Sequence, residues 1–362
     1  MIDEFLSSQI KAGNFPGACY LIAKGERVLK KNCIGFSVIE PVKIKATINT
    51  IYDIASLTKP LIIGSLYGLF FQNRILKFDY KLGKFYSSIP EEKKSIKIIE
   101  LLTHQGGFPA WYPLYLEGKN KKEMIDFILN KLLLEAKPGK KVIYSCIGYI
   151  LLGDILEKIT GKSLNELAKE FLFNPLKLKN TYFNPPGNIR NQIAPTERGN
   201  KYEKERCGSK GENYNGWRKT IIWGEVHDHN CYSMGGISGN SGLFSNIEDL
   251  HCLALQFLKD YSILFKSEII DLFYTNYTSY STEYRSIGWK LASSRVSSAG
   301  DNFSRKSIGH TGFTGTSLWI DAEKKGIFIF LTNRIHPEYR DINFNNIRKK
   351  FHNLAEKVIF KM

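Results

Sequence analysis

The stretch Ala55-Ser56-Leu57-Thr58-Lys59-Pro60 decides how the rest of the chain is read. It follows Ile51-Tyr52-Asp53-Ile54 and precedes an apolar run from Leu61 to Phe71, which places Ser56 near a helix N-terminus. A Ser and a Lys three residues apart lie one turn apart on one helix face. A hydroxyl is a poor nucleophile until a base takes its proton, and an amine one turn along does so if burial lowers its pKa. The first N–H groups and the positive dipole end of the helix suit an oxyanion forming beside Ser56. Alone, the pair decides nothing. In a Lys-rich chain, a capping Ser and a solvated Lys give the same spacing.

Outward from this stretch, Leu61, Ile62, Leu66, Leu69 and Phe70 recur at helical spacing and predict a buried helix. Upstream, residues 2–12 read as a helix closed by Gly13-Asn14 and Pro16-Gly17. Residues 18–23 and 28–36 then read as a hairpin turning at Gly25-Glu26. Downstream, helices are expected over 95–104, 122–134, 147–160, 163–173 and 246–259, with a capping box at Ser163 and Glu166. The Gly-, Asn- and charge-rich region 184–230 reads as a long loop excursion. Four short strands are expected at 286–293, 305–310, 316–321 and 326–332, then a helix over 341–360. This order implies one sheet built from both ends of the chain, an α/β (α+β) fold in which residues 1–74 and 281–362 flank an inserted, mainly helical domain over 75–280.

The 362 residues, 43% of them hydrophobic, suffice for a large core and exclude a disordered chain. The net charge of +16 is Lys-dominated and dispersed, with no block of like charge on one element, which argues against nucleic-acid binding and leaves a general attraction to anionic substrates. The six cysteines, at 19, 33, 146, 207, 231 and 252, form no C-x-x-C pair. The acidic start Met1-Ile2-Asp3-Glu4 has no export-signal character, and no apolar run reaches membrane-spanning length. The expectation is a cytoplasmic protein with free thiols and no integral membrane segment.

Two further stretches supply companions for Ser56. Tyr144-Ser145-Cys146 stands just before an apolar helix, where a phenol on a loop can face a cleft. His310-Thr311-Gly312 lies between strand signals, and a small Thr-Gly on an edge strand lets a substrate backbone approach closely. Ser56-Leu57-Thr58-Lys59, Tyr144-Ser145-Cys146 and His310-Thr311-Gly312 together resemble, in order and separation, the motifs of the penicillin-recognising serine hydrolases. The version with Tyr in the second motif is similar to the class C β-lactamases, the D-alanyl-D-alanine carboxypeptidases and related esterases. Leu101-Leu102-Thr103-His104, Pro138-Gly139, residues 148–153 and Gly235-Gly236-Ile237-Ser238-Gly239 agree, so the resemblance covers essentially the whole chain.

The resemblance implies an antiparallel sheet of the β-lactamase/transpeptidase type and hydrolysis through an acyl-enzyme, without metal or cofactor. It casts Ser56 as nucleophile, Lys59 as its partner in proton transfer, and Tyr144 as base alone or with Lys59. A phenol with pKa about 10 needs nearby positive charge to ionise near neutrality, supplied by Lys59 and by His310 if protonated. The N–H groups of Ser56 and Phe313 would form the oxyanion hole, with Thr311 and Gly312 lining the acyl group's strand. The second motif usually ends in Asn, and Cys146 offers only a weak donor and acceptor. His310 replaces the commoner Lys and would make activity sensitive to pH near its titration. His227-Asp228-His229 has metal-ligand spacing but falls in a segment resembling a lid-like loop of the family, and His104 and His251 read as structural. The implied substrate is a small or peptidoglycan-derived amide or ester: a D-Ala peptide, β-lactam, muropeptide or simple ester. The rival is a penicillin-binding sensor that acylates without turnover.

Overall fold

The computed structural model describes residues 1–360. Its large sheet is antiparallel, in the order β3-β2-β1-β11-β10-β9-β8, where β1 is Gly17–Lys24, β2 Arg27–Val38 and β3 Ile44–Lys45. A smaller sheet takes β4 (Ile51–Asp53), β5 (Tyr182–Phe183), β6 (Ile193–Ala194) and β7 (Leu243–Ser245). The chain then returns to the large sheet through β8 (Lys290–Leu291), β9 (Ile308–Thr311), β10 (Ser317–Asp321) and β11 (Gly326–Thr332). β1 and β11, from opposite ends of the chain, pair along their whole length from Ala18↔Thr332 to Lys24↔Gly326.

Side chains alternate across a strand, and here both faces of the central strands are buried. Cys19, Leu21, Ile327, Ile329 and Leu331 enter one core, while Tyr20, Ile22, Phe328 and Phe330 enter the other. That double burial explains why β11 is apolar throughout. The terminal helices Ile2–Lys11 and Phe344–Phe360 cover the second face, contributing Leu6, Phe351 and Ala355. The first core runs on into the helical segment, where Leu250, Leu253, Leu66, Ile150 and Leu152 join it.

Several expectations need correction. The segment 184–230 is not featureless: it holds the helix Lys201–Cys207, a 3-10 turn at Gly187–Gln192 and β6. A helix at Ser267–Tyr274 was not anticipated. The thiols are not all free, because Cys19 and Cys33, facing each other across β1 and β2, form a disulfide, leaving four free cysteines. The strand carrying His310 is not a bare edge. β8 pairs with its first residues, Ile308 and Gly309, and leaves His310 and Thr311 beyond the end of that pairing. No helix among the described residues is long and apolar enough to cross a membrane.

The long helix Cys146–Thr160 ends on Gly161 in the left-handed conformation (φ 70°), a common helix stop. Its backbone is met closely by Gly239, where a Cβ would lie 2.0 Å from the Tyr149 carbonyl oxygen. Gly239→Ala is therefore expected to destabilise the protein by about 1–3 kcal/mol, the usual cost of forced overpacking, as read from denaturant midpoints. An unchanged midpoint would show that the contact is not needed.

Candidate active site

The turn that presents Ser56 is built under constraint. Ala55 has φ 49°, a left-handed value costly for a residue with a Cβ. It is held by the buried Asp53, whose carboxylate accepts the N–H groups of Ala55 and His227, each at 2.8 Å. Ser56 thus sits in a tight 3-10 turn, Ala55–Leu57, not in an α-helix. The chain continues as a π-helix over Lys59–Gly64, with Pro60 near its start where a missing N–H costs little, and then as α-helix.

Lys59 is fully buried, and its Nζ donates to Ser56 Oγ at 2.9 Å, to the Asn240 carbonyl at 2.9 Å and to Cys146 Sγ at 3.4 Å. An ammonium has three N–H donors, and these acceptors use all of them. Burial pushes Lys59 down, yet the neighbouring Cys146, Tyr144 and Asp228 outweigh it and leave Lys59 above the usual lysine range. The direction is opposite to the burial-driven lowering that an amine base would need.

Tyr144 is placed by the residues on either side of it. Ile143 N–H donates to the His104 carbonyl at 2.8 Å, Ser145 N–H donates to His104 Nδ1 at 3.0 Å, and Ser145 caps the following helix. His104 is structural, as read from sequence, and its ring lies 4.6 Å from that of Tyr144. Lys59 Nζ and the Arg285 guanidinium each stand 5.1 Å from the centre of the Tyr144 ring, and the His310 ring is 5.7 Å away. The three motifs do converge on Ser56.

His310 does not carry the charge expected of it. Its burial, with Arg285 and Lys59 nearby, holds it well below the usual histidine range. Its Nδ1 faces the Thr311 carbonyl at 2.9 Å and so carries the hydrogen, which leaves Nε2 as an acceptor with no partner among the described residues. The second positive charge comes instead from Arg285, which no motif announced. Gly312 allows the turn after β9 to close on Ser56, since a Cβ there would lie 2.5 Å from the Ile54 carbonyl. Thr314 and Thr316 tie the same turn to the Asp53 and Ile54 carbonyls at 2.7 and 3.1 Å, bringing Phe313 beside Ser56.

Two cavities meet at Ser56, Tyr144 and Phe313. One, of about 330 Å³, is lined by Arg285, Lys290, Arg334 and Arg348 together with the third motif. The other, of about 310 Å³, is walled by Trp111, Tyr202 and Phe313, with Glu203, Asp228 and Cys146. A more voluminous hollow of about 1060 Å³ near Tyr274 and Arg305 contains none of the motif residues, so its size says nothing about chemistry. His227 and His229 part company: His227 Nε2 meets Glu197 at 2.8 Å, His229 Nε2 meets Tyr214 at 3.2 Å, and Asp228 caps the helix starting at His229.

The family model described as beta-lactamase matches residues 2–350. The chain belongs to the beta-lactamase family. A Bacillus subtilis (strain 168) N-acetylmuramyl-L-alanine amidase is 33% identical over 94% of this chain and 82% of that protein. An Escherichia coli (strain K12) protein provisionally named D-alanyl-D-alanine carboxypeptidase is 32% identical over 94% of this chain and 83% of its own length. The hydrolase EstCE1 shares the fold with a TM-score of 0.75 at 16% identity, over 99% of this chain and 97% of that one. The octameric penicillin-binding protein homologue from Pyrococcus abyssi does so with a TM-score of 0.70 at 21% identity, over 92% and 72%. This beta-lactamase-family chain is accordingly a hydrolase with the β-lactamase/transpeptidase fold.

The neutral state of His310 is directly measurable. In ¹⁵N-resolved NMR its ring should keep the shifts of the neutral Nδ1–H form from pH 8 to below pH 6. A titration centred near pH 6.5 would restore the charged imidazole.

Proposed function

We propose that the protein is a serine hydrolase working through an acyl-enzyme on an amide or ester of a small peptidoglycan-derived molecule. Ser56 Oγ attacks the carbonyl carbon and Tyr144 takes its proton, because Lys59 has no free lone pair. The base is the Tyr144 phenolate, which the Lys59 and Arg285 charges favour and which becomes a neutral phenol on taking the proton. The Ser56 and Phe313 N–H groups receive the oxyanion. As the tetrahedral intermediate collapses, the C–N or C–O bond breaks and Tyr144 returns the proton to the leaving group. Water then repeats the sequence on the ester and releases the acid. Thr311 and Gly312 lie along the acyl chain.

The observation that carries this reading is the buried ammonium bonded to the Ser56 hydroxyl, beside a phenol ring that faces two cations. The cationic groove narrows the substrate to one with a carboxylate next to the scissile bond. Arg348 Nη2 donates to the Gly312 carbonyl at 2.5 Å and Nη1 to Asn345 at 2.9 Å, while its Nε has no partner among the described residues. A guanidinium in a cavity wall suits a carboxylate. The names of the amidase and carboxypeptidase relatives agree with an amino-acid leaving group.

The rival, a penicillin-binding sensor that acylates without turnover, is motivated by Cys146 standing where Asn is usual. Its sulfur nonetheless occupies the third Lys59 N–H, so the ammonium is ordered without an amide. Labelling with a fluorescent penicillin or a fluorophosphonate separates the two, with Ser56→Ala as the unlabelled control. Label loss with released product, and turnover across p-nitrophenyl esters, nitrocefin, D-Ala-D-Ala peptides and muramyl-L-alanine, supports the hydrolase; a permanent adduct supports the sensor. Tyr144→Phe should slow acylation by about 100-fold or more, and a near-native rate would remove Tyr144 from the proton route.

The groove also sets a pH limit. Burial and the Arg285 charge push the Lys290 ammonium down to about 8, so its positive charge is present below that pH and lost above it. KM for a carboxylate-bearing substrate should rise as pH passes through about 8, and Lys290→Arg should hold it low. An unchanged KM up to pH 9 would exclude Lys290 from substrate binding.

A further inference from the structure

The hollow of about 1060 Å³ near Tyr274 and Arg305 is marked by its walls rather than by its volume. Buried Phe257, Leu258, Ile270 and Leu291 form an apolar floor. Charged groups stand around it, and most of them are paired: Lys259 meets Asp271 at 2.6 Å and Lys325 meets Asp260 at 2.5 Å. Arg305 and Lys306, adjacent in the loop before β9, have no carboxylate partner among the described residues. Beside them Ser307 is 1% exposed, and its Oγ has no partner among the described residues. A dry floor with one cationic end and an unspent hydroxyl has the chemistry to take an acid with an apolar body. We propose that this hollow binds a free amphipathic monoacid, an alkyl or aryl carboxylate, and that its occupancy strengthens the cationic groove at Ser56.

The link to the groove is the ribbon 284–291, in which Arg285 and Lys290 oppose each other as an antiparallel bridge pair. Side chains alternate across a strand. Arg285 and Lys290 therefore enter the groove, whereas their neighbours Tyr284 and Leu291 line the hollow. Two backbone hydrogen bonds close the ribbon, from the Leu291 N–H to the Tyr284 carbonyl at 3.1 Å and from the Ser286 N–H to the Trp289 carbonyl at 3.0 Å. The register that turns Tyr284 and Leu291 towards a ligand is the one that holds Arg285 beside Tyr144. A ligand touching Tyr284 and Leu291 thus favours the state in which the groove is formed. Such coupling is reciprocal, so an occupied groove tightens the hollow by the same factor. This coupling rests on the reading above, in which the groove receives a substrate carboxylate.

Charge also decides how the acid lies. Glu323 stands on the rim with no cationic partner among the described residues and repels an anion from its end. The carboxylate is drawn instead to Arg305, Lys306 and Ser307, and the apolar body covers the floor. A volume of about 1060 Å³ is at the upper end of ligand sites and admits a medium-length alkyl chain or a pair of aromatic rings. The walls come from several separate segments and cup the ligand. At the mouth the exposed carboxylates of Asp260, Asp271 and Glu323 alternate with the cations, so no uniformly basic face is offered to an anionic bilayer. That pattern favours an acid free in solution over a lipid held in a membrane.

The probes are anilinonaphthalene sulfonate, which fluoresces in apolar sites, and decanoate as its competitor. Folded Ser56→Ala protein should bind the fluorophore at one saturable site. Decanoate should displace it, and decylamine should do so about tenfold more weakly or not at all. Arg305→Glu/Lys306→Glu, at two exposed positions, should weaken decanoate about tenfold with an unchanged denaturant midpoint, and Ser307→Ala should weaken it less. Saturating decanoate should slow hydrogen exchange of the Ser286 and Leu291 N–H groups about tenfold. In the wild-type protein it should raise the rate at which fluorescent penicillin labels Ser56 by about threefold or more, a gain absent from the double variant. No displaceable binding, or equal displacement by decylamine, overturns the site. Binding without slowed exchange in the ribbon, or with labelling at an unchanged rate, overturns the coupling. Pelleting with phosphatidylglycerol vesicles that decanoate competes away moves the ligand to a bilayer and overturns the free acid. Binding and slowed exchange in a protein whose Ser56 takes no label overturn the acyl-enzyme reading and leave the site standing.

Discussion

A full positive charge held inside the protein is the constraint around which the site is arranged. Removing an ammonium from water costs several kcal/mol even after relaxation, so Lys59 is tolerated only because Ser56, Asn240 and Cys146 take all three of its N–H groups. Those acceptors come from three separate places: the turn after β4, the glycine-rich approach to β7, and the first residue of the helix Cys146–Thr160. Asn240 reaches Lys59 only because Gly239 lies flat against the Tyr149 carbonyl of that helix. The charge therefore couples the helical segment to the sheet at the point where Ser56 is exposed. It also favours the proposed proton route through Tyr144, since an ammonium with three engaged hydrogens polarises a hydroxyl but takes nothing from it.

The second constraint is the left-handed Ala55. Strain of this kind persists only where surrounding bonds over-determine it, and here Asp53 binds the Ala55 N–H while Thr314 and Thr316 hold the Asp53 and Ile54 carbonyls. The same carboxylate takes the His227 N–H, so one buried acid joins the Ser56 turn to the segment that follows Gly224. Burial raises the Asp53 carboxyl, and its two backbone hydrogen bonds oppose that rise. Its importance lies in position, not in chemistry with substrate.

Much of this architecture was legible because it obeys simple periodicities. β1 and β11 are continuous apolar runs buried on both faces, the Ser163–Glu166 capping box forms as written, and the three motifs lie together because each is tied to a readable turn or helix start. What escaped was whatever depends on the third dimension. Helix Lys201–Cys207 is dominated by charged and polar side chains, with Glu203 buried in it, so its pattern read as solvated loop. Cys19 and Cys33 become partners only once β1 and β2 are placed in register. His310 looks titratable on paper, but burial and two neighbouring cations keep it neutral. Arg285 bears no motif at all, and only its approach to Tyr144 marks it.

The dispersed charge of +16 acquires local meaning at the groove. Arg285 and Lys290 repel each other there, with Glu283 as their near counter-charge. Burial, with Arg334 nearby, pushes the Arg348 guanidinium down to about 9. Crowded, partly desolvated cations of like sign are unfavourable, and under the proposed reading the carboxylate of a substrate would relieve that repulsion. Binding energy gained in this way is remote from the scissile bond, so it can hold the carbonyl against Ser56 rather than merely retain the substrate. The neutral, aromatic pocket opposite has no such surplus to offer.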